Sequence, residues 1–141
     1  MTAKRPGRKG GSRTAPSRGN SRIAPTWHDA DELRWAVRHW ATRLGVRAPQ
    51  IHLRQMQSKW ASISTAGRLT LNTDLLVIPK DLGEFVVVHE LVHLLAPNHG
   101  KVFKSFMRAY MPDWEEQAER LGRYARHTGK RLSSRRTATP I

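Results

Sequence analysis

A chain of 141 residues is one domain's worth of sequence, and an apolar fraction of 38% supports only a modest core. It contains no cysteine, which excludes disulfide frameworks, thiolate nucleophiles and thiolate metal sites, so any metal must be held by His, Asp or Glu. No apolar run is long enough to span a bilayer and no apolar stretch near the start fits a secretory signal, so the expectation is a cytoplasmic protein with no membrane partner.

Lysine and arginine number 25 against 11 acids, a formal charge of +14. The excess lies at the ends. Residues 1–25 carry Lys4, Arg5, Arg8, Lys9, Arg13, Arg18 and Arg22 with no acid, and residues 120–141 carry Arg120, Arg123, Arg126, Lys130, Arg131, Arg135 and Arg136, again with no acid. The stretch between holds all 11 acids and as many bases, so a neutral body is flanked by two basic ends. The first segment is mostly Gly, Ser, Pro, Arg and Lys, which cannot offset ordering entropy by burial. The expectation is a disordered basic tail over 1–25, a domain over 26–127 and a flexible basic tail over 128–141. Such ends suit an electrostatic grip on nucleic acid or another polyanion, and serve equally as solubilising tails.

In chain order, the body opens with a helix. Asp29 or Asp31 can cap it, Leu33, Val37, Trp40 and Leu44 recur at helical spacing, and Gly45 ends it. Trp35 and Trp40 read as core or half-buried packing. The period then changes to two: Ile51 and Leu53 alternate with polar neighbours, as do Leu69 and Leu71. This predicts two or three short antiparallel strands with a hairpin turn at Ala66-Gly67. Asn72-Thr73-Asp74 leaves the sheet, and Pro79 suits the first turn of the next helix. That helix, from about residue 80 to 95, carries Leu82, Phe85, Val86, Val87, Val88, Leu91, Val92, Leu94 and Leu95. It is apolar nearly all round, which predicts burial. Pro97 follows its end. A helix from about Gly100 is expected to turn Val102, Phe103, Phe106, Met107 and Tyr110 inward, and a last one covers roughly residues 114–126 after Pro112-Asp113.

Inside the buried helix stands His89-Glu90-Leu91-Val92-His93. Residues four apart share a helix face, so His89 and His93 can offer imidazoles to one cation. Glu90, about 100° further round, can reach a metal-held water without being a ligand. This is the zincin arrangement of two His ligands and a Glu general base. Zinc supplies what the chemistry needs, because it lowers the pKa of water to about 7. As a bare pattern the pentapeptide arises by chance in roughly one or two such chains in a hundred. Its apolar setting argues further, because two His and a Glu buried separately would each need their own partners, whereas one zinc and its water satisfy them together.

A catalytic zinc takes three protein ligands and keeps one position open. His99, beyond Pro97-Asn98, is preferred as the third ligand over Glu115 or Glu116, since the chain can turn there and bring it back over the helix end. His28, His39, His52 and His127 have no ligand spacing. For an oxyanion donor the candidates are Lys59 and Tyr110, each with a structural or surface role as the competing reading.

These residues carry a resemblance. Arg54, Lys59-Trp60-Ala61-Ser62, Leu71-Asn72, Leu75, Pro79, Val87-Val88-His89-Glu90-Leu91-Val92-His93-Leu94, Pro97-Asn98-His99, Phe103 and Pro112-Asp113-Trp114 together resemble the YgjP-like (DUF45) metallopeptidase-type domain of the gluzincin-like grouping, over about residues 50–116. The resemblance implies zinc on His89, His93 and His99 and catalysis by Glu90. The family pattern reads Arg-Trp-Gly-Ser where this chain has Lys59-Trp60-Ala61-Ser62, and the stretch before that motif is shorter here. His99-Gly100-Lys101-Val102-Phe103-Lys104 is also similar, more distantly, to SprT-like proteases of DNA–protein crosslinks, which place the third His further on.

The expected fold is α+β, a small antiparallel sheet packed on a buried active-site helix with flanking helices, zincin-like. The expected function is a zinc-dependent hydrolase, most simply a metallopeptidase acting on a peptide or protein substrate. The competing readings are a SprT-like DNA-associated protease, a nucleotide phosphoanhydride hydrolase on the same zinc, and a nucleic-acid-binding protein whose zinc is structural and closed by a fourth ligand.

Overall fold

The structure is a computed structural model that describes residues 25–132; the expectations for residues 1–24 and 133–141 lie outside the described residues. Among the described residues the architecture is α+β, as expected, with four helices and a three-stranded sheet. Helix α1 is Ala30–Leu44, followed by strands β1 Gln50–Arg54, β2 Ala61–Ile63 and β3 Arg68–Asn72. A 3₁₀ turn at Thr73–Val77 leads into α2 Lys80–Val92, then α3 Lys101–Tyr110 and α4 Trp114–Thr128.

Local chemistry sets the ends of α1. The Asp29 carboxylate accepts from the Glu32 N–H at its start, and Gly45 adopts a left-handed conformation (φ 74°) at its end, where the Gly45 and Val46 N–H groups close a Schellman turn on Thr42 and Ala41. Trp40 is buried as expected and donates its indole N–H to Glu84 at 2.7 Å. Trp35 is not packing: it is 58% exposed and stacks on His39 one turn along the same outer face. Helical spacing alone did not separate these two tryptophans, which lie on different faces of α1.

The sheet is mixed rather than antiparallel. Its order is β1-β3-β2, with β2 and β3 antiparallel but β1 and β3 parallel. The hairpin turn falls where expected, closed by Gly67 N–H to Ser64 C=O, with Gly67 at φ 87°. After β1 the chain crosses to the far side of the sheet, so the third strand enters between the other two. Burial explains the placement. β3 buries Leu69, Leu71 and Asn72 and takes the centre, where both of its edges are paired, whereas β1 is only half-buried at alternate positions and sits at the edge.

The crossing is held by Asn72, which is fully buried. Its amide donates to the carbonyls of Met56 (2.7 Å) and Lys59 (2.8 Å), and its oxygen accepts from the Asp74 N–H at the start of the 3₁₀ turn. Of the segment after α4, the described residues reach Leu132 and hold to the body. Arg131 exchanges backbone hydrogen bonds with Ser58 and Trp60, Lys130 pairs with Asp74 at 2.9 Å, and Leu132 packs on the core. These bonds form an isolated parallel bridge between Lys59 and Arg131.

Helix α2 is the axis of the molecule. It packs against α1, β2, the 3₁₀ turn, α3 and α4. Accordingly Leu82, Gly83 and every residue from Phe85 to Val92 are buried, as the all-round apolar pattern predicts. The regular helix stops at Val92, earlier than expected, and a tighter turn carries the chain through Leu95, which is exposed there rather than buried with the helix as expected. On α3, Phe103 and Met107 are buried and Phe106 and Tyr110 pack at the edge, but Val102, expected inside, is 59% exposed.

Candidate active site

The end of α2 presents two imidazoles one turn apart. His89 lies within the helix and His93 at its C-cap, both buried. The tight turn after Val92 places the Ala96 carbonyl 3.2 Å from His93 Nδ1. That carbonyl can only accept, so Nδ1 carries the proton and Nε2 keeps its lone pair. The chain then bends at residues 97–100, where the Asn98 side chain accepts from the Gly100 N–H, and α3 begins. This bend returns His99 over the helix end.

The three imidazoles converge through Nε2. His99 Nε2 is 3.0 Å from His89 Nε2 and 3.2 Å from His93 Nε2. A tetrahedral zinc with Zn–N bonds of ~2.0–2.1 Å sets its ligand nitrogens ~3.3–3.4 Å apart. Both separations are within a few tenths of an ångström of that edge, and neutral imidazole is a preferred zinc donor, so the residues fit the ion. Among the described residues, these three form the group that can hold a metal. Glu115 and Glu116 do not join it; they lie exposed in the first turn of α4. His28, His39, His52 and His127 stand apart as well.

Electrostatics keep the group ready for a cation. Burial, and then the neighbouring His89 and His93, push the His99 imidazole down to about 4, with Glu90 acting in the opposite sense. His99 is therefore neutral at physiological pH. Glu90 is fully buried, and its Oε2 lies 3.3 Å from His89 Nδ1. A carboxylate there holds His89 in the tautomer that leaves Nε2 for a metal. This contact was not foreseen from spacing, which placed Glu90 only near the reacting water. Lys59 lies in the crossing before β2, its carbonyl held by Asn72, and Tyr110 lies half-buried at the end of α3.

Phe103, read in sequence as an inward-facing residue and as part of the family resemblance, was not read as a neighbour of the histidines. The Phe103 ring lies against all three imidazoles, with centroids 5.1, 4.8 and 4.6 Å from those of His89, His93 and His99. Its spacing from His99, four residues on, was the available signal.

This small α+β fold brings His99 in the bend together with His89 and His93 at the end of α2, beside the buried Glu90, in an arrangement that can hold a metal ion. Residues 25–124 match the family described as YgjP-like, metallopeptidase domain, and the chain belongs to that family and is a metallopeptidase-like hydrolase. The match begins well before the resemblance read at residues 50–116, so α1 is part of the family domain. Among solved structures, the metallopeptidase zymogen of Pyrococcus abyssi, abylysin, is similar with a TM-score of 0.61 and 20% identity, covering 76% of this chain and 99% of that one. The metallopeptidase zymogen of Methanocaldococcus jannaschii, jannalysin, is similar with a TM-score of 0.59 and 23% identity, covering 65% of this chain and 95% of that one. At these identities the likeness is one of fold. No curated protein matches the chain. No helix among the described residues is long and apolar enough to cross a membrane.

Proposed function

We propose that the protein is a zinc metallopeptidase that hydrolyses peptide bonds in a peptide or protein, with His89, His93 and His99 holding the ion and Glu90 as general base. The observation that carries this is the convergence of three imidazole Nε2 atoms at 3.0 and 3.2 Å, close to the edge of a zinc tetrahedron. When bound, zinc supplies a Lewis acid that makes water acidic enough to attack a carbonyl near neutral pH. The chain's own groups do the rest. Ala96 and Glu90 fix the tautomers of His93 and His89. Glu90 takes a proton from the attacking water and passes it to the leaving amine nitrogen as the C–N bond breaks. The three-residue donor set supports a catalytic rather than a structural ion, since a structural site is closed by four protein ligands. The exposed outer edge of His99 leaves an approach for substrate.

The test compares the purified zinc form against casein, nucleoside triphosphates and DNA-bound protein, with metal content measured in parallel. About one zinc per chain is expected, lost in His89→Ala and His93→Ala and much weakened in His99→Ala, with cleavage of casein alone. Hydrolysis of the triphosphate without casein cleavage overturns the peptidase assignment. Full zinc retention in His99→Ala overturns the ligand set.

A further inference from the structure

We propose that Phe103 is a positioning residue for the three-histidine centre: its ring is the common wall that holds the imidazoles with their Nε2 atoms converged. The proposal rests on the metal-site reading above. Two of the imidazoles have polar supports on their second nitrogen, His93 from the Ala96 carbonyl and His89 from Glu90. His99 does not. Among the described residues its ring nitrogens meet only the other two imidazoles, through Nε2. His99 also lies outside any helix, at the exposed bend before α3. A metal-ligating histidine is ordinarily oriented by a partner on its other nitrogen, and the supports of such ligands govern metal affinity.

For His99 the support is the ring of Phe103. Phe103 lies in the first turn of α3 and is 3% exposed. Its centroid is 4.6 Å from that of His99 at a tilt of 45°, and it meets His93 at 34° and His89 at 71°. These separations fall in the range where tilted and edge-on ring pairs attract. One rigid side chain thus touches all three ligands, joining the two on α2 to the one in the bend. A flexible aliphatic side chain of similar bulk fills space but does not fix ring orientation.

The experiment compares the full chain with Phe103→Leu and with Met107→Ala, a packing control one turn further along α3 at a fully buried position. Three quantities are read: Tm of the metal-free protein, zinc affinity by chelator competition, and the visible spectrum of the cobalt(II) form, which reports ligand number and geometry. Phe103→Leu is expected to lose roughly tenfold or more in zinc affinity, the usual scale for removing a ligand's support. Its cobalt bands should weaken as the site loses four-coordinate geometry. Met107→Ala should lower Tm at least as far while keeping wild-type affinity and spectrum. Wild-type affinity and spectrum in Phe103→Leu overturn the proposal, as does an equal loss in Met107→Ala, which would make the effect one of general stability. If Phe103→Leu does not fold, Phe103→Met is judged by the same criteria. A wild-type chain that binds no zinc overturns the metal reading itself, and with it this proposal.

Discussion

Two polar residues, both fully buried, separate chemistry from architecture. Glu90→Gln keeps the size of the side chain and a carbonyl that can accept from His89 Nδ1, but the amide cannot take a proton at neutral pH. The expected outcome is wild-type zinc content and Tm with hydrolysis slowed by roughly a hundredfold or more. Metal analysis beside a rate assay checks it; loss of zinc would make Glu90 a ligand. Asn72 was read in sequence only as the exit from a strand. In the fold it satisfies the Met56 and Lys59 carbonyls and the Asp74 N–H. Asn72→Ala takes the partner from those part-buried groups, and each such loss costs on the order of 1–3 kcal/mol when water cannot replace it. A total loss of about 3 kcal/mol in urea unfolding is expected, with zinc still bound by the folded fraction. A loss below about 1 kcal/mol would mean that water replaces the amide.

Among the elements, α2 carries both the core and the site, and its interior glycine is explained by a neighbour distant in sequence. A Cβ at Gly83 would run into the indole nitrogen of Trp27, which is buried against the helix. Propensity alone says that Gly83→Ala should stabilise a helix by up to about 1 kcal/mol. The close approach reverses the sign. We expect Gly83→Ala to destabilise by about 1–3 kcal/mol through overpacking, measured by chemical unfolding. A gain in Tm would show that Trp27 moves aside freely. At the same end of α2, Arg120 on α4 grips Asp81 through two contacts, the shorter 2.6 Å. Both side chains are partly exposed to water, so Arg120→Ala is expected to cost no more than about 1 kcal/mol. The apolar face of α4, with Leu121 buried, carries its docking.

For the whole molecule, the state of the site couples to stability through pH. His99 has its folded value lowered to about 4 from an ordinary 6.5. Between those values the unfolded chain binds the extra proton, so the metal-free protein loses stability as pH falls from about 6.5 towards 4. His99→Asn should flatten this dependence of Tm on pH; an unchanged slope would assign it to other groups. Much of this was legible in the sequence. The order and type of the helices, the hairpin turn and the three histidines followed from periodicity, turn chemistry and ligand spacing, which are local properties of a few consecutive residues. The parallel pairing of β1 and β3, the exposure of Trp35 and the anchoring of residues 130–132 did not. Each depends on which distant segment lies alongside. The same holds for Glu90 against His89, Ala96 beneath His93 and Phe103 behind all three imidazoles. The sequence by itself determined which donors were available on α2 and in the bend that follows. Only the tertiary structure decided that they converge, because convergence depends on how the bend and α3 pack back onto the end of the buried helix, and no local pattern encodes that packing.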